Sequence, residues 1–579
     1  MKKILVTTAI EEIWGKDEEI IFLGDWCKKY NRKKIWSKRK ILTLPDPWSD
    51  RNRRIAAFDY LEELYKEIIP RLSKNLNEVH KCNHSDRFWK ILCGPWLQVF
   101  IEIVFHYWEA LEDVQKGNKV DYTYGFNYNI TNLVPSSMKE FESFTDTDSW
   151  NHYIISEIIK FQKKIPMINI DKDINDVGIV KHANIIELST FRKIINKIFD
   201  YLAILNSSTS PFVMNSYMPK IRNIMFCIRE RCFPIIISED FINRPTVIKS
   251  QRSKIDLIEL GRSRFENILL DLIPWNIPFN YVEGFSALSS HIDKMPWQKT
   301  PKYLLTGTEH WRNDVFKLYS SYKIESGSKL NIITHGGSGK YKYSNFESHE
   351  YDICDNYFTW GWSNHDKHFK GYFVKKRNQY KAPNKKSDLF HITLTCHRYS
   401  KTLDASPTYE QYLGGYIKDQ ISFLNNLTPI ILDSTIIKLS FDLGNSLESR
   451  IEDCIPNLRY ASIKDDYHKL LMRSRLAVST YNCTTFLESL FYNIPTIIFW
   501  NPLHWELSDH SVPCFDRLKD AGVFHDSASS AAAMTNKIWN DVDQWWESQE
   551  VSSACNEFKN IFCRDSDRPI LKMIEFCNQ

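Results

Sequence analysis

Glycine is scarce in this chain, 19 of 579 residues. Loops that close backbone N–H groups around a phosphate must therefore be few, and each glycine cluster carries weight. The 13 cysteines contain no C-x-x-C, and the nearest pair, Cys227 and Cys232, has four residues between. Zinc-ribbon and thioredoxin motifs are thereby excluded, and scattered thiols in so long a chain point to reduced cysteines in a cytoplasmic protein. No run of about 18 apolar residues exists, which predicts no membrane span. The nearest case, Trp96–Leu111, holds Glu102, His106 and Glu109 and predicts a core helix. Lys and Arg number 75 against 71 Asp and Glu. An excess of +4 argues against a nucleic-acid coat. The start, MKKILVTTAI, is too short an apolar stretch for a signal peptide before Glu11 and Glu12, and predicts a first β-strand. There are no internal repeats and no low-complexity tracts.

What is present is a globular composition: 43% hydrophobic and 25% charged residues rule out wholesale disorder. Aromatics reach 14%, with 18 Trp, 28 Tyr and 34 Phe, enough for packing or for sugar stacking. The length implies two to four domains, or two large ones. Residues 54–79 carry apolar side chains at helical spacing, and Pro95 is a candidate start for the next helix. Ile268–Ile273, Tyr303–Thr306 and Leu330–Thr334 read as strands. Residues 375–388 are basic and polar and contain Pro383, the best linker candidate. Beyond it, strands at 389–395, 436–441, 475–480 and 496–500 alternate with helices at 408–424, 466–474 and 484–492. Such βα alternation predicts parallel sheets with helices on both faces.

In open α/β sheets, ligands bind beyond the carboxyl ends of strands, so the residues that follow each strand are the site candidates. After 330–334 comes His335-Gly336-Gly337-Ser338-Gly339-Lys340, with three of the scarce glycines in four positions. Glycine admits close backbone approach to a ligand, and His335 can donate to an anion or act as a base. The spacing fails for a P-loop, since Tyr341 follows Lys340. After 475–480 come Tyr481-Asn482-Cys483-Thr484-Thr485 and a helix bearing Glu488. A helix start with hydroxyl residues is a ready anion site, and Glu488, one turn in, can accept from ribose hydroxyls. After 389–395 comes Arg398, a cation suited to phosphate or carboxylate. After the first strand, Glu11 and Glu12 offer a general base or simply an acidic helix start. Asp-x-Asp occurs at 146–148, 171–173 and 565–567, in polar stretches that read as loops, so no metal site is expected.

Taken together, the stretches TTAIEEIWGKDEEIIFLGDWC (7–27), FWKILCGPWL (88–97), THGGSGKY (334–341), DNYFTWGW (355–362), NCTTFLESL (482–490), FWNPLHWEL (499–507) and IWNDVDQWW (538–546) resemble a bacterial family of surface-carbohydrate-biosynthesis transferases in the GT-B glycosyltransferase superfamily. The likeness runs along nearly the whole chain and is weaker at 112–260. One departure is visible: where the family pattern would read R-L-Y, this chain has Arg398-Tyr399-Ser400. The resemblance implies a GT-B fold, two Rossmann-like domains facing a cleft. The expected division is an acceptor-side domain at 1–378 with a helical insertion near 112–260, a linker at 379–388, a donor domain at 389–545 and a tail helix at 546–579 crossing back. It implies a cytoplasmic enzyme, with at most peripheral association at the inner face of the membrane, moving a sugar from a nucleotide-activated donor to a surface glycan or lipid-linked acceptor, as in capsule or lipopolysaccharide synthesis. Neither cofactor nor nucleic-acid partner is expected, and the fold usually needs no metal. The donor side would comprise Arg398, Tyr399, Ser479, Thr480, Thr484, Thr485 and Glu488. Gly336 and Gly337 would face it with His335, and Glu11 or Glu12 would supply the base or nucleophile. A CMP-linked ulosonic acid is one donor the resemblance suggests. CDP-polyol phosphate transfer, nucleotide-sugar epimerisation and an inactive carbohydrate-binding protein are the alternatives.

Overall fold

Short apolar runs become the strands. Ile4, Leu5 and Val6 of β1 (Lys3–Val6) and Ile20, Ile21 and Phe22 of β2 (Glu19–Phe22) are fully buried. Strands covered on both faces read as continuous apolar runs, and these two pair in parallel. The computed structural model describes residues 2–117, 119–173, 202–235, 241, 244–336, 338–375, 388–399, 402–403, 407–439 and 444–579.

With β3 (Ile41–Thr43), β4 (Tyr122–Asn127) and β5 (Met167–Asp173), the first two strands make a parallel sheet ordered β3-β2-β1-β4-β5. A second parallel sheet, ordered β10-β9-β8-β7-β6, comprises β6 (Phe212–Val213), β7 (Tyr303–Thr306), β8 (Lys329–Ile333), β9 (Asn356–Phe358) and β10 (His368–Phe369). The third, ordered β13-β12-β11-β14-β15-β16, comprises β11 (Asp388–Ile392), β12 (Thr435–Lys438), β13 (Arg459–Tyr460), β14 (Ser474–Ser479), β15 (Thr496–Phe499) and β16 (Phe524–His525). The first and third sheets reverse winding direction between β1 and β4 and between β11 and β14. Those are their topological switch points, where such sheets hold ligands.

The α/β class with parallel sheets agrees with the sequence reading. The count of sheets does not: residues before the linker build two sheets rather than one layer with a helical insertion, and 112–260 contribute β4, β5 and β6. The edge strand β5, MINIDKD, mixes apolar, amide and charged residues, so it lacks the apolar run that marks a central strand. Ile268–Ile273 is also corrected. It lies inside a helix, Arg264–Asn276, whose first turn is capped by the Ser263 hydroxyl accepting from Glu266 N. A six-residue apolar run cannot be told from a buried helix segment by periodicity alone. Pro95 does not start its helix, which runs Asp86–Gly117. Starting earlier buries Phe88, Trp89 and Leu92, and that gain, about 1.5–3 kcal/mol per large side chain, outweighs the donor the proline removes. This helix is long and apolar enough to cross a membrane, but 89% of its most apolar window is buried inside the protein. The expected linker, apart from Asp388 at the head of β11, lies outside the described residues.

The tail returns to the second sheet. Arg564 N donates to Trp360 O at 2.9 Å, Phe373 N to Arg564 O at 2.7 Å, and Phe576 packs edge-on to Phe358. The tryptophans of the family-like motifs, Trp14, Trp26, Trp360, Trp362, Trp500 and Trp505, are all buried. They brace the fold and present no exposed face for sugar stacking.

Candidate active site

The third sheet's switch point organises the candidate site, because the loops after β11 and β14 leave it side by side. The loop after β14 is anchored from beneath. Thr480 Oγ1 donates to Ile392 O at 2.9 Å and lies 2.6 Å from the Tyr416 hydroxyl, which tie it to β11. Ser479 Oγ lies 3.1 Å from Thr485 Oγ1. Ser479 and Thr480 are thus buried fasteners of the loop. The helix that follows, Thr484–Phe491, begins after Cys483 with no side chain capping its first N–H groups. Uncapped N–H groups and the positive end of the helix dipole together attract an anion. Glu488 sits half-buried one turn in, and its charge reaches Tyr467 and Tyr481. Asn482, 1% exposed, has neither its amide oxygen nor its nitrogen hydrogen-bonded among the described residues.

The loop after β8 meets this helix start from the second sheet. A Cβ placed on Gly336 would lie 3.4 Å from Thr484 Oγ1. Gly339 has φ +78°, and a Cβ there would stand 2.4 Å from the Trp362 indole, so glycine is required. Ser508 N donates to Lys340 O at 2.9 Å and the Tyr341 hydroxyl donates to Asn482 O, fastening the loop to the third sheet's domain. The spacing of glycines located this loop. Gly337 lies outside the described residues.

Lys340 is a residue the sequence reading did not assign. It is fully buried, with Nζ 5.8 Å from the centre of the Phe486 ring on the same helix. Burial pushes its ammonium down to about 8. Nearby Glu347 accepts from Gly339 N at 2.9 Å and from the Tyr351 hydroxyl at 3.1 Å, and burial pushes its carboxyl up to about 7.

His335 stands between the rings of Tyr217, stacked at 6.1 Å, and Phe346, at 4.4 Å, with about a quarter of its side chain exposed. Burial pushes its pKa down to about 3, with His310, Lys375 and Arg312 adding to the effect. Its Nδ1 is 3.8 Å from Glu350 Oε1, and His310 Nε2 is 3.2 Å from the same oxygen. Glu350 Oε2 accepts from the Tyr357 hydroxyl at 2.8 Å, and burial holds this carboxyl well above its ordinary range. A neutral, part-exposed imidazole can hydrogen-bond a phosphate oxygen or an acceptor hydroxyl through a ring nitrogen.

Arg398 and Tyr399 are not at this helix start. Arg398 is buried, with Nη1 donating to Trp26 O at 2.8 Å and to Asp148 Oδ1 at 2.9 Å, and Nη2 to Asp148 Oδ2 at 3.0 Å. The Tyr399 hydroxyl donates to the same carboxylate, Lys29 Nζ lies 2.7 Å from it, and Ala9 N donates to it at 3.1 Å. Asp146, in turn, lies 2.9 Å from His397 Nδ1. The first Asp-x-Asp is therefore a junction between the first and third sheets, and Asp148 caught the cation that sequence reading gave to the donor. Only the long-range pairing reveals this role. Ser400 lies outside the described residues. Glu11 forms a bidentate pair with Arg32, at 2.5 and 2.6 Å, which holds its carboxyl below the ordinary range. Glu12 is exposed on the same turn. Among the described residues, no group of three or more His, Cys, Asp or Glu side chains could hold a metal ion.

Solved structures give distant likenesses. A glycosyltransferase from Rickettsia africae ESF-5 aligns at 11% identity over 67% of this chain and 93% of its own, TM-score 0.33. S. aureus MnaA with UDP aligns at 9% over 63% and 93%, TM-score 0.35, and the wall teichoic acid polymerase TagF at 9% over 67% and 94%, TM-score 0.31. These are too distant to speak to donor or acceptor. No curated protein matches the sequence. A family model does, that of the LIC12162 family transferases, over residues 3–576. The chain belongs to the LIC12162 transferase family.

Proposed function

We propose that this transferase is a GT-B-type glycosyltransferase that moves a sugar from a nucleotide-activated donor to a surface glycan or lipid-linked acceptor. The observation that carries the reading is the approach of Gly336 to Thr484. It brings a glycine loop from one parallel sheet against the uncapped helix start at the switch point of another. A diphosphate held there would receive helix N–H groups and the Thr484 hydroxyl, with Lys340 as the nearby cation. Those groups would stabilise the charge on the departing nucleotide. Glu488, one turn along, is the candidate for the ribose hydroxyls. His335 supplies the neutral hydrogen-bonding group across the gap, and Glu11 or Glu12 stays the candidate base on the acceptor side.

A CMP-linked ulosonic acid remains the finer donor proposal. The sugar's carboxylate would need a donor, either Arg398 or His335; Arg398 is held by Asp148, so His335 is the partner proposed. Incubation with CMP-, UDP-, GDP- and dTDP-sugars, and with CDP-glycerol, tests both levels by nucleotide release. Turnover of a sugar donor with an acceptor, giving a glycosyl mass gain, is expected. A phosphodiester gain from CDP-glycerol, or turnover of the donor without acceptor, would overturn the glycosyl reading. Release from UDP or GDP donors alone would sink the ulosonate.

A further inference from the structure

The helix Lys220–Arg229 is inside out. Its buried side presents Phe226 and Cys227, while Ile221, Ile224, Met225 and Ile228 are 63%, 38%, 51% and 69% exposed. Their spacing, i, i+3, i+4 and i+7, puts all four on one stripe. Ile204 and Leu205 lie in the segment just before β6. They are themselves exposed, and their neighbour Asn206 is tied to Phe233, just past the helix, by bonds of 3.1 and 2.7 Å. Contiguous exposed apolar surface of this kind marks an interaction site.

The charges around the stripe are of one sign. Lys220, Arg222, Arg229 and Arg231 flank it, and none of them makes an ion pair among the described residues. The one acid in the segment, Glu230, is occupied by the Tyr303 hydroxyl at 2.8 Å. A short amphipathic helix with an apolar face and a cationic border is built to lie in the plane of a lipid interface. A protein partner would need matching acids. A membrane of anionic lipids supplies phosphates at every position.

We propose that the helix Lys220–Arg229 docks the protein on an anionic membrane surface, the four apolar side chains entering the interface and the bordering cations meeting lipid phosphates. Its place in the fold gives the docking a purpose. The chain enters the helix from the loop after β6, which Asn215 pins to Thr308 Oγ1 at 2.9 Å and Glu309 Oε1 at 3.0 Å. Tyr217 of that loop stacks on His335. The docked face therefore begins three residues from the ring that covers His335, so the head of a lipid-linked acceptor would arrive beside the cleft. That last step rests on the transfer reading. The docking does not.

Co-sedimentation of the full chain with vesicles tests it. The protein should pellet with phosphatidylcholine vesicles containing phosphatidylglycerol and stay in solution with phosphatidylcholine alone. The double variant Ile221→Asn/Ile228→Asn, and separately Lys220→Gln/Arg229→Gln, should weaken vesicle binding by about tenfold or more, and added salt should weaken the wild type. Melting temperature and nucleotide binding should not move in either variant, since the replaced side chains are exposed. Ile430→Asn, which removes an exposed apolar side chain elsewhere, should bind vesicles as the wild type does. Absence of wild-type binding to anionic vesicles overturns the proposal. So does equal binding by the Ile221→Asn/Ile228→Asn variant. A wild-type dimer in sedimentation velocity that the same variant dissolves would also overturn it, assigning the face to a second copy. None of these outcomes bears on whether a nucleotide sugar is turned over.

Discussion

The Arg398 guanidinium spans from the third sheet to the Asp148 carboxylate, with Nη1 and Nη2 at 2.9 and 3.0 Å from its two oxygens. Both groups are buried, and together with Tyr399, Lys29 and Trp26 they pin the carboxyl end of the first sheet to the loop after β11. Removing one partner from such a pair strands the other charge away from water.

Asp148→Asn should therefore cost about 3–5 kcal/mol of unfolding free energy, read by chemical denaturation. Burial alone would raise this carboxyl, but Arg398 and Lys29 outweigh it and hold it well below the usual carboxylate range. A depressed carboxyl stabilises fully above its unfolded pKa, about 4, and loses that contribution only as pH falls toward the folded value. The deficit of Asp148→Asn should accordingly be constant from about pH 5 to 8 and shrink in strong acid. Folded Arg398→Met should bind nucleotide within about threefold of wild type by calorimetry. A loss of tenfold or more would return Arg398 to the donor site.

How much of this was legible beforehand depended on range. The glycine cluster, the Thr484-Thr485 helix start and the βα alternation after 389 are local patterns, and each sits where its pattern put it, beyond the carboxyl end of a strand. Arg398 is as local a signal, yet its partner is 250 residues away, and no short-range rule joins an aspartate at a helix start to a loop in another sheet. The same holds for Glu11, whose partner Arg32 lies across β2. Of the middle sheet, β7 and β8 were legible, while β6, β9 and β10 were not because they are only two or three residues long. Lys340 and Asn482 stood in the quoted motifs, and only their burial shows what they face.

Gly336→Ala tests the approach to Thr484. At 3.4 Å the added methyl meets the Thr484 hydroxyl at ordinary contact distance, so the fold should keep its melting temperature. The space between loop and helix start is then filled, and nucleotide affinity should fall by about tenfold or more while Thr484→Ala alone costs about 0.5–1.5 kcal/mol of binding. Unchanged affinity in both variants would move the anion elsewhere.

His335→Asn should reduce turnover by about 10²–10³-fold with donor affinity largely kept, the range expected for loss of one positioned hydrogen-bonding group at a developing charge. Because His335 is pushed down to about 3, it is neutral throughout the working range. The pH profile of kcat/KM for the free enzyme should then show no acid limb near 6.5 that disappears in His335→Asn. Such a limb would mean that the imidazole titrates freely.

Acid should weaken the fold. His106 and His310 are pushed down by burial to about 3, His152 and His391 to about 4, and His349 well below its ordinary value. Each stabilises fully above its unfolded pKa of about 6.5 and loses this as pH falls, because the unfolded chain takes up the proton first. Asp46, Glu347 and Glu350 act oppositely: pushed up by burial, to about 6, to about 7 and well above the ordinary range, they lose stability as pH rises through the same window. Each group contributes up to about 1.4 kcal/mol per pH unit, and these five imidazoles, with His335 a sixth, outnumber the three carboxyls. The urea midpoint should fall between about pH 6.5 and pH 4.5, and a flat or rising midpoint would contradict the assigned burial of these rings.

Asn482 offers the sharpest separation of stability from function. Its amide is buried between β14 and the Thr484 helix with no hydrogen-bond partner among the described residues, an arrangement that costs about 1–3 kcal/mol in an apolar setting. A protein keeps such a group when something outside the fold completes its bonds. Asn482→Leu, similar in size and without polar atoms, should therefore raise the melting temperature of the free protein while weakening nucleotide binding by about tenfold or more. The two readouts move in opposite directions only if the amide serves a ligand. If the variant melts lower and binds nucleotide as before, the amide is bonded within the fold, and the anion site reduces to the helix N–H groups, Thr484 and Lys340.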